Sequence, residues 1–169
     1  MVHIPIFRSP EESTQMYVLC GRIALYWGPV ELGIEGLLVR LRNNLKYGIS
    51  KNSFLWSIPF PISFSRKVSE IKVHLKSSPK YAEIELELLP LLSRCKWIHD
   101  IRTHVVHSIC QGTNLDGKLM FGRSDQNKGK SYTEKQFGPE ELENVAIEML
   151  HLVDKLNDMF NRLSNPALR

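Results

Sequence analysis

Near the start of the chain, apolar residues recur at steps of three and four: Leu19, Ile23, Tyr26, Val30, Ile34, Leu37 and Leu41. A helix carries residues at that spacing on one face, so the pattern predicts one long helix over roughly residues 10 to 46. Ser9 is its expected N-cap, Pro10 suits the first helical position, and Glu11 and Glu12 favour the positive helix end. Pro29, beside Gly28, interrupts the pattern. The apolar stripe resumes in phase, so a kink is expected there and not a stop. The stretch from Tyr47, with Gly48, Pro59 and Pro61, reads as a loop. Ser63 or Ser65 can then cap a second helix with Val68, Ile71 and Leu75 on one side. Pro79 opens a third, whose stripe runs Ile84, Leu88, Leu91, Leu92, Cys95, Ile98, Ile101 and Val105 and fades near Ser108, with Pro90 as a second kink.

The period then changes. Asp116-Gly117 is a turn dipeptide, Leu119 and Phe121 alternate with polar residues, "SDQNKGK" is a polar tip, and Tyr132 and Phe137 follow. This predicts a β-hairpin over about residues 113–138. Pro139 opens a last helix with acids in its first turn and Leu142, Val145, Ala146, Met149, Leu152, Val153, Leu156 and Phe160 on one face. The predicted fold class is all-α: a four-to-five-helix bundle with a small β-hairpin insertion before the last helix, residues 1–169 forming a single domain.

Composition narrows the function classes. A chain of 169 residues, 43% hydrophobic and 24% charged, is enough for a core of its own. No run approaches the roughly 20 apolar residues of a membrane helix, and "MVHIPIFRSPEES" lacks the basic and apolar regions of a signal peptide. A formal charge of +4 is compatible with an anionic partner without demanding one. Cys20, Cys95 and Cys110 are odd in number and form no CxxC pair, which reads as reduced thiols in a cytoplasmic protein. There is no Walker motif and no helix-turn-helix signature.

The chemistry gathers in "WIHDIRTHVVHS", residues 97 to 108, at the end of the third helix. Ile98, Ile101 and Val105 belong to the apolar stripe, which leaves Arg102 and His107 outside it. Five residues apart, these two lie about 140° round a helix, and an arginine is long enough to swing across. Histidine exchanges protons near neutrality, and arginine offers a planar, permanently charged fork for phosphate oxygens. Structural roles are open as well: Arg102 pairing with Asp100, Glu31 or helix-end carbonyls, and His107 capping the helix end. His99 and His104 are five apart and read as solvent-facing or supporting residues, and the histidine spacing matches no zinc pattern. Arg40, Arg42 and Lys46, with Arg123, Lys128 and Lys130 on the hairpin, are either solvated surface or the walls of an RNA path.

"RTHVVH", Arg102 to His107, resembles the RxxxxH signature of the HEPN superfamily (higher eukaryotes and prokaryotes nucleotide-binding domains). The layout is similar too: a long first helix with Trp27 and then Glu31, an arginine–histidine helix end, a hairpin and a closing helix. The resemblance implies a homodimer whose subunits share a groove, and a metal-independent endoribonuclease, toxin-like, acting on RNA without a cofactor. It makes Arg102 the phosphate clamp and His107 the proton-transfer residue, with Thr103, Glu31 and His99 in support and an antitoxin protein as a further partner. Where many active members carry asparagine, aspartate or histidine after the arginine, this chain has Thr103, a weaker orienter. The alternatives are a non-catalytic nucleotide- or nucleic-acid-binding module and a helical interaction subunit.

Overall fold

The computed structural model describes residues 9–45, 63–125 and 131–164. These residues are mostly helical, with four α-helices and one three-stranded antiparallel sheet. Helix α1 is Pro10–Leu45, α2 is Phe64–Lys76 and α3 is Ala82–His107, entered through a 3-10 turn at Pro79–Tyr81. Strands β1 (Ile109–Thr113), β2 (Leu119–Asp125) and β3 (Ser131–Phe137) follow, and α4 (Pro139–Leu163) closes the described chain. Helices α1 and α3 continue past Pro29 and Pro90, each of which lacks the amide that would bond back one turn.

Local signals explain the helix starts. Ser9 accepts a hydrogen bond on Oγ from the Glu12 amide at 3.1 Å, and Glu11 and Glu12 occupy the positive end of α1. Of the two serines able to cap α2, Ser63 does so, accepting from the Arg66 amide at 3.4 Å.

The fold falls into two compact units. The first comprises Met1–Gly28 and Trp97–Leu150, the second Pro29–Lys96 and His151–Arg169. In the first unit Met16, Leu19, Ile23 and Trp27 of α1 are buried, with Ile98, Ile101 and Val105 of α3 and Leu142, Val145 and Met149 of α4. The inner face of the sheet adds Leu119, Phe121 and Phe137, the two phenylalanine rings 5.9 Å apart between centroids. In the second unit the core is Val30, Ile34, Leu37, Leu38 and Leu41 of α1, Ile71 and Leu75 of α2, Leu88, Leu92 and Cys95 of α3, and Leu152 and Leu156 of α4. A Cβ at Gly33 would lie 3.1 Å from the side chain of Leu156, so α1 and α4 approach closely there.

Three expectations are corrected. The β element is a three-stranded sheet in the order β1-β2-β3, not a hairpin over 113–138. Asp116-Gly117 turns β1 into β2, with Asn114 Oδ1 accepting from the amides of Asp116 and Lys118 and Gly117 at φ 75°. β1 escapes the pattern because its register shifts between Cys110 and Gly112, and a bulge breaks the alternation that marks a strand. The second hairpin, β2–β3, is the predicted one, and residues 126–130 of its polar tip lie outside the described residues. On α4 the inner face includes Met159 and Leu163, while Phe160 lies at its margin, 39% exposed. On α1 Trp27 is buried and Tyr26 only half-buried.

A candidate functional site at the end of helix α3

Arg102 and His107 meet. Arg102 Nη1 lies 3.0 Å from His107 Nε2. A guanidinium has only donors, so Nη1 donates to Nε2 in the tautomer that leaves that nitrogen's lone pair free. His107 is exposed at the last position of α3 and Arg102 is half-buried. Arg102 is not outside the apolar stripe, as its neighbours in sequence suggested. It lies two helical turns beyond buried Cys95, on that residue's side of α3, because the stripe veers after Cys95 toward Ile98, Ile101 and Val105. Its Nε is buried and has no hydrogen-bond partner among the described residues. The same holds for Ser108 Oγ, next to His107 at the start of the sheet. A buried donor left unpaired costs on the order of 1–3 kcal/mol, and the Tyr81 hydroxyl, away from this helix end, is in the same state.

The supporting residues divide. Thr103 is half-buried beside Arg102. His99 stacks obliquely on Trp27, with ring centroids 5.3 Å apart, and its Nδ1 is 3.7 Å from an Asp100 carboxylate oxygen. His104 points its Nδ1 at the Asp100 carbonyl oxygen, 2.8 Å away, in a helix-end bond of its own. Glu31, one of the partners weighed for Arg102, places Oε1 2.7 Å from Lys67 Nζ. Among the described residues no three His, Cys, Asp or Glu side chains are grouped as a metal would need.

Two arginines of the first basic cluster have structural partners. Arg40 donates to the carbonyl oxygens of Leu163 and Ser164, at 3.3 and 3.0 Å, and secures the end of α4. Arg42 forks onto Glu70 at 2.5 and 2.8 Å, and the guanidinium holds that carboxyl below its ordinary range despite partial burial. Neither side chain is a free surface cation. Arg123 is exposed, whereas Lys46, Lys128 and Lys130 lie outside the described residues.

Sequence reasoning missed Lys67. Its position between Phe64 and Ile71 puts it on the inner face of α2, and it is only 4% exposed. Glu31 and Glu35 hold its ammonium at 2.7 and 2.5 Å. Burial alone would push Lys67 down, but the two carboxylates outweigh it and raise the group above lysine's ordinary value. All three cysteines are free thiols; burial and the neighbouring Cys110 push the Cys20 thiol up to about 11.

No family model, curated protein or solved structure matches this chain. No helix among the described residues is long and apolar enough to cross a membrane.

Proposed function

We propose that the protein is a metal-independent endoribonuclease of HEPN type, a helical bundle working as a homodimer, with Arg102 and His107 as its reacting pair. The observation that supports this most is the 3.0 Å contact between Arg102 Nη1 and His107 Nε2. It joins a cation and a neutral imidazole at an exposed helix end, with an unpaired guanidinium Nε behind them. On binding RNA, the guanidinium turns its fork from His107 to the phosphate oxygens. The freed Nε2 lone pair takes the proton of the 2′-hydroxyl, whose oxygen bonds phosphorus as the bond to the 5′-oxygen breaks. The leaving oxygen takes a proton from His107 of the second subunit, which enters the step as an imidazolium, so the two histidines end the step with their protonation states exchanged. The partner in this reading is RNA, and a toxin-like role with an antitoxin protein follows from the same resemblance.

The experiment is cleavage of a labelled RNA in chelator by wild type, Arg102→Ala and His107→Ala, with light scattering on the same samples. Wild type should cut, both variants should fail, and the scattering mass should be about twice the 19.5 kDa of one chain. A protein that binds RNA and never cuts it is the binding module that Thr103 leaves as the alternative. A clean monomer removes the shared groove.

A further inference from the structure

Beyond Arg102 and His107, the outer face of the sheet carries an arrangement that packing does not explain. Ile109 pairs with Gly122, which pairs with Glu134, so these positions point to one side. Tyr132, two residues before Glu134, shares that side. Its ring leans along the sheet so that its hydroxyl end rests on Gly122, where any Cβ would collide with the hydroxyl, Cζ and Gln111 Nε2. Gln111, on the bulge of β1, donates to the Tyr132 hydroxyl and pins that end. The ring nevertheless stays 55% exposed, and Ile109 beside it is 61% exposed. A tyrosine serving only to cover the sheet would bury its ring; this one is held at one end and left open.

We propose that Tyr132 is a stacking platform for a nucleobase of single-stranded RNA, the nucleotide next to the phosphate held at Arg102, with Ile109 against the edge of the base. This rests on the ribonuclease reading for the placement of the phosphate. Ile109 follows His107 by two residues, at most roughly 7 Å of chain, and sits about 5 Å from Gly122 across the ladder. The ring is therefore within reach of a nucleotide adjoining the bound phosphate. A base offers a π-face whatever its identity, and a ring fixed in advance loses little freedom on binding it. The cation needed for the backbone is Arg102.

The test uses a fluorescent 2′-O-methyl RNA oligomer, which cannot be cleaved through its 2′-oxygen, and an abasic sugar-phosphate chain of equal length. Anisotropy titrations compare wild type, Tyr132→Ala, Tyr132→Phe and Gln111→Ala, each checked by thermal melting. Tyr132→Ala should weaken the oligomer roughly ten- to a hundredfold and leave the abasic chain unchanged. Tyr132→Phe keeps the ring but loses the hydroxyl that Gln111 pins, and Gln111→Ala loses the same hydrogen bond from the other side, so both should weaken the oligomer by less than Tyr132→Ala and to a similar extent. Gln111→Ala carries the test should Tyr132→Ala fail to fold. Equal oligomer affinity for wild type and Tyr132→Ala overturns the proposal, as does an equal loss on the abasic chain or no binding by wild type. Failure here leaves the cleavage assay intact. Absent cleavage with Tyr132-dependent binding sinks the ribonuclease and keeps the platform.

Discussion

The two units treat their charged groups in opposite ways. In the second, buried Lys67 sits between Glu31 and Glu35, Arg42 forks onto Glu70 with His74 alongside, Arg162 forks onto Glu87, and Arg40 closes the end of α4. In the first, Arg102 has a buried Nε with no partner among the described residues, Ser108 Oγ is in the same state, and the guanidinium's hydrogen bond goes to an exposed histidine. Folding favours pairing of buried polar groups. Both units leave a hydroxyl without a partner among the described residues, Tyr81 in the second and Ser108 in the first, so the contrast lies in the charges alone. The lysine and arginines of the second unit meet carboxylates or helix-end carbonyls, whereas the guanidinium of Arg102 meets a histidine.

The largest effect that would sharpen this contrast is on rate. His107→Ala should lower RNA cleavage by about a hundredfold to ten-thousandfold while shifting stability by less than about 1 kcal/mol, read by a cleavage time course and a urea melt. An unchanged rate, or a collapsed fold, would break the contrast. Ile101→Ala, in the buried stripe of the same helix, should cost roughly 2–5 kcal/mol in the same melt, showing which part of "WIHDIRTHVVHS" holds the structure. Lys67→Ala leaves Glu31 and Glu35 facing each other without their cation. Because both carboxylates are about a third exposed, the expected loss is near the lower end of the usual penalty, about 3 kcal/mol. Arg102→Leu should cost less than about 1 kcal/mol or stabilise, since it removes an unpaired buried donor from beside apolar neighbours. If Arg102→Leu costs as much as Lys67→Ala, the two units do not differ as argued.

The smallest effect is on pH. Glu70 titrates below its ordinary value because Arg42 holds it ionised, with a smaller contribution from His74. A carboxyl lowered in the folded state adds stability that is complete above its unfolded value and disappears as pH falls through the lowered one. Acid titration of the melting midpoint should therefore fall less steeply for Glu70→Gln than for wild type, with the curves converging at the acid end. Parallel curves would show that the Arg42 fork contributes nothing measurable.

Much of the fold was legible because helical periodicity survives in a single sequence. Every stripe residue named for α3 from Ile84 to Val105 is buried, and Ser9 and Ser63 cap as their chemistry suggests. β1 was not legible, since a bulge at Cys110–Gly112 destroys the alternation, although Asp116-Gly117 was itself a turn signal. The inner face of α4 moved from Phe160 to Met159 and Leu163, a rotation that apolar content alone does not decide. The proximity of Arg102 and His107 followed from reach along a helix, but the burial of Arg102 did not, since it depends on where the stripe veers. Lys67 was readable from its spacing to Phe64 and Ile71, yet a lysine on an inner face is discounted unless its carboxylate partners can be seen. Gln111, Gly122 and Tyr132 are far apart in sequence, and strand register alone brings them together.

Strand β3 lies at the edge of the sheet and, among the described residues, has no neighbour on its far side. From Tyr132 to Gln136 it is exposed on both faces, which is the form of a strand open to unwanted pairing with another molecule. Its charges answer that exposure. Two copies pairing antiparallel about a two-fold axis engage all seven residues in only one register, and that register sets Glu134 opposite Glu134. A slip of two residues toward the C-terminal end sets Lys135 opposite Lys135 and gives up part of the ladder. The adjacent glutamate and lysine thus oppose edge-to-edge aggregation in both arrangements, and a Glu134→Thr, Lys135→Val double change should make a well-folded protein precipitate where the parent stays dispersed.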